Sequence, residues 1–376
     1  MGRLKVAIVH DWIKSYGGSE QLLLSFKKII NTLDIYTTIY DSRNFSYFYN
    51  DKDVNIHFSK LHTLIYKTKL FPTEIFSTLF SPLTVESYNL LNYDLVITNS
   101  HSFAHGVITN SSQKHIVYYN TPMRFIWSNA KDYDSIIRRK FGFLSSIMNL
   151  YLSYLRIWDF SASRRADHVV SISKTVQERI KKYYKRDSLV IYPPVIAVDV
   201  IENKQEKIKE GKGDYYITIG RLVPNKNLEV LVNCFNGLLP DRKLIIVGEG
   251  NERKRLQKMS NTNVKFTGFV SDKVKYELLR NAKGFIFCAD EDFGIAPLEA
   301  MTFGVPVIAY NRGGIREHLL SGTNGTYFDS LDKTDIAESI IKLENTKFDS
   351  YEISKTVVHL SEKRFVEEWT QYLKQF

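Results

Sequence analysis

The chain has 376 residues, 44% of them apolar, and a formal net charge of +10. Its length exceeds what one hydrophobic core usually serves, so two domains are expected, and the apolar fraction excludes a disordered chain. Only Cys234 and Cys288 occur, too few and too far apart for a disulfide framework or a cysteine-ligated metal, which fits a reducing compartment.

The first element, "LKVAIVH", reads as a short strand leading to Asp11 rather than as a signal peptide. No window holds the uninterrupted apolar run that a bilayer span needs, so a cytoplasmic protein is expected. Through residue 195 there are 25 Lys+Arg against 15 Asp+Glu, and after it 26 against 26. The excess gathers in Arg138–Lys140, Arg164–Arg165 and the run Lys181–Arg186, clusters that suit nucleic acid, an anionic membrane or a pyrophosphate-bearing substrate, or simply a solvated helix face.

Strands are expected at Lys5–His10, Ile35–Tyr40, Leu95–Ser100, His115–Asn120, Val169–Ile172 and Leu189–Tyr192, separated by helical patterns. One helix begins near Ser19, which is placed to cap it, with apolar residues at Leu22, Leu23, Phe26 and Ile29–Ile30. Gly17 and Gly18, just before it, would let the backbone approach a ligand phosphate or sugar, although a glycine pair also serves as an ordinary turn. The run Phe141–Phe160 is too interrupted by polar residues to span a bilayer; it fits either an interfacial helix or a buried one.

Pro193 and Pro194 stop regular structure, and the charged stretch 196–213 is expected to be a linker. Strand and helix then alternate again: "YYITIGRL", a helix over Leu228–Leu238, "KLIIVGEG", a helix from Asn251, "VKFTGFV", a helix near Asp272–Arg280, "GFIFCAD", a helix at Pro297–Phe303 and "PVIAY". The chain closes on an amphipathic helix with Phe365, Val366, Trp369, Tyr372 and Leu373 on one face. The fold class is therefore α/β, as two domains with parallel sheets: 1–195, and 214–355 followed by a C-terminal helix over 356–376. Ligands in such sheets bind outside the carboxyl ends of the strands, here in a cleft between the domains.

Chemistry concentrates in "GRLVPNKN" and "EDFGIAPLEAM". Arg221 offers a planar fork and Lys226 a point charge for a diphosphate. Glu291 should sit in a loop and Glu299 in the following helix, with the N–H groups of Phe293, Gly294, Ile295 and Ala296 at the helix start between them, a layout that suits an anion flanked by hydroxyl-rich groups. A solvated loop acid and an ordinary helix acid would read the same way.

In order and spacing, "GGSE", "GRLVPNKN", "IIVGEGNE", "VKFTGFVSD" and "EDFGIAPLEAMTFGVPVIA" resemble the retaining glycosyltransferases of family four, of the GT-B fold, over nearly the whole chain, which implies two Rossmann-like domains and a C-terminal helix over 356–376 that returns to the first domain. "VAIVHDW", "GGSE" and "YYNTPMRFIW" further resemble bacterial mannosyltransferases of O-antigen and exopolysaccharide assembly. The resemblance implies that Glu299 holds the nucleotide ribose and that Glu291 binds donor-sugar hydroxyls beside Gly294, Ile295 and Ala296. Arg221 and Lys226 would stabilise the departing diphosphate without a metal or any other cofactor. It implies a nucleotide-sugar donor, with GDP-mannose favoured over UDP- or ADP-hexoses, and a lipid-linked saccharide acceptor at an anionic membrane surface. Asn120 stands where related enzymes carry a histidine. Asn120 would then only position the donor sugar, or His101 or His105 would compensate, and Arg124 would meet the acceptor. A nucleotide-sugar epimerase shares the layout but not the two motifs, and no nucleic-acid module is recognised.

Overall fold

The computed structural model describes residues 4–14, 16–43, 45, 48, 51–69, 72–131, 142, 145–204 and 213–376. The basic cluster Arg138–Lys140, Phe141, and residues 205–212 of the expected linker lie outside the described residues. Two compact units form, one from Met1–Tyr192 with Val366–Phe376 and one from Pro193–Phe365.

The first unit carries seven parallel strands in the order β3-β2-β1-β4-β5-β6-β7. These are β1 (Val6–His10), β2 (Leu33–Thr37), β3 (Val54–Phe58), β4 (Leu95–Ser100), β5 (Lys114–Tyr119), β6 (His168–Ser171) and β7 (Leu189–Val190). Buried along their whole length, β1 and β4 open on apolar runs, Val6–Val9 and Leu95–Ile97, and end in polar residues, with no in-and-out alternation. The helices are α1 (Gly18–Lys27), α2 (Lys60–Thr68), α3 (Thr73–Glu86), α4 (Ser145–Ala162) and α5 (Lys174–Tyr184). β3 escaped sequence reading although "VNIHF" alternates apolar and polar residues: it is a five-residue edge strand, directly preceded by the charged run Asp51–Asp53, and all its residues are at least partly exposed. α1 begins one residue before Ser19: Gly17 is its N-cap and makes no side-chain cap, while the Ser19 hydroxyl donates to Glu20 Oε2 at 3.0 Å. Ser19 is thus not the cap.

α4 buries Leu152, Leu155, Trp158, Asp159 and Ala162. The opposite face leaves Ile147, Leu150, Tyr154 and Ile157 more than 60% exposed. Both expectations for this run are therefore half met, by a helix with one buried face and one apolar solvent face.

In the second unit six parallel strands run β10-β9-β8-β11-β12-β13. They are β8 (Tyr215–Ile219), β9 (Lys243–Val247), β10 (Val264–Gly268), β11 (Gly284–Phe287), β12 (Val307–Tyr310) and β13 (Gly325–Phe328). The helices are α6 (Ile196–Lys204), α7 (Leu228–Gly237), α8 (Arg253–Met259), α9 (Asp272–Arg280), α10 (Ile295–Thr302), α11 (Lys333–Glu344), α12 (Ser350–Lys355) and the last, α13 (Glu362–Leu373). Leu231, Val232 and Phe235 of α7 pack with Leu244, Ile246 and Ile340 in its core, each worth about 1.5–3 kcal/mol of burial.

Residues 196–204 are helical rather than linker, because Ala197 and Val198 are fully buried and give this segment an apolar side that its charged continuation lacks. α13 straddles the division, its residues from Val366 onward belonging to the first unit. There Trp369 is fully buried, edge-on to Phe26 at 4.9 Å and Tyr118 at 5.3 Å.

Candidate active site

Strand order reverses between β8 and β11, and the carboxyl ends of these two strands are where a ligand site is expected in an open parallel sheet. The residues after β8 are Gly220 and Arg221, followed by a short 3-10 turn, Pro224–Lys226. Asn227 closes that turn with φ of 54°, a conformation asparagine tolerates, and donates through Nδ2 to the Cys288 carbonyl at 2.9 Å. The turn bearing Lys226 is thereby tied to the end of β11. Gly220, Arg221, Lys226, Cys288 and Ala289 line one small cavity.

After β11 the chain forms the loop holding Glu291. Gly294 caps α10 with φ of 89°, in the left-handed region that favours glycine. A second clasp comes from Gly313, at φ of 71°, where a Cβ would lie 2.2 Å from the Glu291 carbonyl oxygen; the Gly314 N–H donates to that same oxygen at 2.8 Å. α10 begins at Ile295, two residues earlier than the sequence suggested, because Pro297 falls in the first turn, where no N–H is needed. Gly294, Ile295 and Ala296 thus precede or open a helix whose first N–H groups have no intrahelical partner.

Two ion pairs define the electrostatics. Lys226 Nζ contacts Glu291 Oε1. Lys275, from α9, donates to Glu299 Oε1 at 2.8 Å and lies 3.1 Å from Asp272. Glu299 is buried, and burial disfavours both charges of its pair. At Lys275 the attraction of Glu299 outweighs that penalty and holds the ammonium above the ordinary lysine range, while Lys275 opposes the upward push that burial gives the Glu299 carboxyl. Lys275 escaped sequence reading: on an amphipathic helix it looks like any surface lysine, and only the fold turns it toward α10.

The first unit has its own reversal, between β1 and β4. Asp11, just past β1, is fully buried and accepts from the N–H groups of His101 at 2.7 Å, Ser102 at 2.8 Å, Phe103 at 2.5 Å and Ala104 at 2.8 Å. His101 Nδ1 lies 3.2 Å from Asp11 Oδ2, with the Trp12 ring edge-on at 4.6 Å. Burial pushes the Asp11 carboxyl up, and His101 together with the N–H donors outweighs it, so the group stays below the ordinary carboxylate range. Burial also holds His101 below the ordinary imidazole range despite Asp11. Beside this pair runs a second set. His10 lies 3.7 Å from Glu20, Asn99 Nδ2 donates to His10 Nδ1 at 3.2 Å, and Asn120 Nδ2 donates to Asn99 Oδ1 at 2.8 Å.

Of the residues expected from sequence, Arg221 and Lys226 line the cavity after β8, Lys226 pairs with Glu291 after β11, and Gly294, Ile295, Ala296 and Glu299 cap or lie on α10. Asn120 and His101 lie at the β1/β4 reversal, with Gly17 beside Glu20 and Gly18 opening α1. Arg124 is partly buried in a turn after β5, and that turn is anchored by Trp127 Nε1 donating to Asp159 Oδ2 at 2.6 Å. His105 does not belong with His101: it is buried in the core, 3.2 Å from Asp159. Asp11, His10 and Asn99 were missed as site residues, and the available signal was polar residues closing the strand runs "AIVHD" and "VITNS"; Glu20 was missed too, although it ends the motif "GGSE". Among the described residues, no group of three or more His, Cys, Asp or Glu side chains is placed to hold a metal ion.

Both sheets and their switch points match solved glycosyltransferase structures of the GT-B fold. HepE of Anabaena, determined in complex with UDP and glucose, superposes with a TM-score of 0.68 over 99% of this chain and 100% of that one, at 16% identity. Residues 199–360 match the model of the family described as "Glycosyl transferases group 1". Within that class the chain resembles O-antigen mannosyltransferases. It is 24% identical to O-antigen chain mannosyltransferase C of Escherichia coli over 95% of this chain and 91% of that one. It is 31% identical to O-antigen chain mannosyltransferase RfbU of Salmonella typhimurium over 50% of this chain and 54% of that one. The chain spans about half the length of several curated relatives it matches.

Proposed function

We propose that this protein is a metal-independent, retaining glycosyltransferase that moves a hexose, mannose from GDP-mannose, onto a lipid-linked saccharide in surface polysaccharide assembly. The observation that carries the reading is the pairing of Lys226 with Glu291 and of Lys275 with Glu299 on either side of the α10 N-terminus. That arrangement supports the reading because it offers cations and helix-start N–H groups suited to a diphosphate, with two carboxylates suited to hydroxyls. The matched family region contains all of it.

In the proposed reaction Glu299 binds the ribose hydroxyls and Glu291 the donor-sugar hydroxyls, released from Lys226 as that ammonium turns to the diphosphate. Arg221 and Lys226 neutralise charge as the bond from the sugar anomeric carbon to the phosphate oxygen breaks. The acceptor hydroxyl oxygen forms the new bond on the same face, and its proton passes to an oxygen of the departing diphosphate. Gly17, Gly18 and Asn120 would approach the donor sugar, and His101 and Arg124 the acceptor. The UDP in HepE favours a second donor reading, a UDP-hexose on the same residues.

The exposed apolar face of α4, with Phe80 and Leu83 exposed on α3 and Arg164 exposed just beyond α4, supports docking on an anionic membrane surface. Tyr151 of α4 donates to the Thr78 carbonyl of α3 at 2.7 Å, which makes these helices neighbours. No helix among the described residues is long and apolar enough to cross a membrane. Incubating GDP-mannose with the protein and a membrane extract tests the reading: radiolabelled mannose should enter the lipid fraction, and its absence from that fraction with every nucleotide sugar supplied would refute it.

A further inference from the structure

The buried polar set at the β1/β4 reversal has a direction that its hydrogen bonds determine. Asn99 Nδ2 faces two atoms, His10 Nδ1 at 3.2 Å and the Ser19 main-chain carbonyl at 3.1 Å. A carbonyl oxygen only accepts, so the atom of Asn99 facing it is the amide nitrogen, and its oxygen must face the other way. That oxygen accepts from Asn120 Nδ2 at 2.8 Å. The remaining hydrogen of Asn99 Nδ2 needs an acceptor, so His10 Nδ1 carries a lone pair and the ring proton sits on Nε2. His10 Nε2 points toward Glu20 Oε1 at 3.7 Å, and both side chains are buried. Burial pushes the Glu20 carboxyl up, and His10 and His101 outweigh it, so Glu20 remains an anion able to hold that proton in place.

Resting on the glycosyltransferase reading, we infer that Glu20, His10 and Asn99 are positioning residues that fix the amide of Asn120 with its Oδ1 turned outward, to accept a hydrogen bond from a hydroxyl of the bound saccharide. Asn120 is only partly buried, whereas His10, Asn99 and Glu20 behind it are buried, so the chain of bonds runs from the interior to one exposed end. The two amide bonds, Asn99 to His10 and Asn120 to Asn99, each have one allowed polarity, and at 3.7 Å the Glu20 carboxylate acts on His10 by charge rather than by a hydrogen bond. A flip of the Asn120 amide would set two carbonyl oxygens face to face and leave the Asn99 oxygen without its donor. A histidine at position 120 would carry its own proton, whereas Asn120 takes its orientation from residues on β1, α1 and β4. The glycines at 17 and 18 lie beside the chain's inner end: a Cβ on Gly17 would sit 3.0 Å from Glu20 Oε2.

The test pairs a spectroscopic measurement with kinetics on the full chain. Histidine-labelled protein, observed by long-range nitrogen–proton correlation, should show His10 protonated on Nε2 and bare on Nδ1. In Asn99→Asp, where a carboxylate replaces the amide donor, His10 should become protonated on Nδ1. His10→Asn keeps an acceptor near the Nδ1 position and should retain turnover of GDP-mannose to within about threefold, while His10→Leu should lose about tenfold or more in kcat with GDP affinity unchanged. Unchanged GDP affinity also reports that the variant protein is folded. A His10 proton on Nδ1 in the wild-type protein would overturn the inference, as would equal kcat in His10→Leu and wild type. If the wild-type protein transferred no sugar at all, the proposed function would fall, and the tautomer would still decide the polarity of the chain.

Discussion

The two strand-order reversals are alike in topology and opposite in chemistry. At β8/β11 the polar groups are charged and come as opposite pairs, Lys226 with Glu291 and Lys275 with Glu299. At β1/β4 they are mostly backbone N–H groups, amides and imidazoles around two carboxylates, with Asp11 saturated by four N–H donors. An ion pair can be parted by a ligand that offers its own charge and hydroxyls. A saturated carboxylate has nothing left to offer and serves to hold a turn. On the proposed reading, the second unit exchanges its internal partners for an anionic ligand, whereas the first keeps its partners and presents a fixed polar edge.

The sharpest ways to break this contrast act on the second unit. Arg221→Ala and Lys226→Ala should each reduce sugar transfer by about a hundredfold or more, measured as kcat, because they remove charge aimed at the leaving diphosphate. Glu299→Ala leaves the mostly buried Lys275 ammonium with Asp272 as its remaining carboxylate and should cost the protein about 1–3 kcal/mol, read by denaturant unfolding, together with a marked loss of GDP affinity. Glu291→Ala should chiefly slow transfer and leave GDP affinity near wild type. Equal losses of affinity in both, with normal turnover, would contradict the division of labour between the two carboxylates.

Acid should expose the other side of the contrast. Asp11 has its folded pKa depressed below the ordinary value of 3.8, so the stability it contributes is fully present above that value and is lost as pH falls through the lower folded one. Asp11→Asn should therefore be less stable at neutral pH and less sensitive to acid over that window, as measured by unfolding midpoints from pH 5 down to about pH 2. The smallest effect on folding belongs to the surface: Leu150→Glu together with Ile157→Glu should change stability by less than about 0.5 kcal/mol per site. The same pair should abolish co-sedimentation with vesicles containing anionic lipid.

How much of this was legible in the sequence follows from what each residue depends on. Arg221, Lys226, Glu291 and Glu299 lie within two local strand-turn-helix segments, so their neighbourhood is written in consecutive residues. Lys275 and the Asn120–Asn99–His10 chain join elements far apart in sequence, and no local pattern distinguishes a lysine that turns inward from one that stays in water. The Pro193-Pro194 break was legible, but the helix after it was not, since two buried side chains, Ala197 and Val198, decide it against a charged surround. β3 was missed for a different reason: the alternation of "VNIHF" is present, but it spans only five residues of an edge strand beside the charged run Asp51–Asp53.

The most direct test of the central claim is a calorimetric titration of the full protein with GDP, UDP and ADP in the presence of a chelator. The expected result is saturable binding of one nucleoside diphosphate, GDP ahead of UDP and ADP, that survives the chelator and is lost in Glu299→Ala. Tighter binding of UDP would keep the site and replace mannose as the sugar. Binding of no nucleotide, or binding indifferent to Glu299, would contradict the assignment of the paired carboxylates to a nucleotide-sugar site.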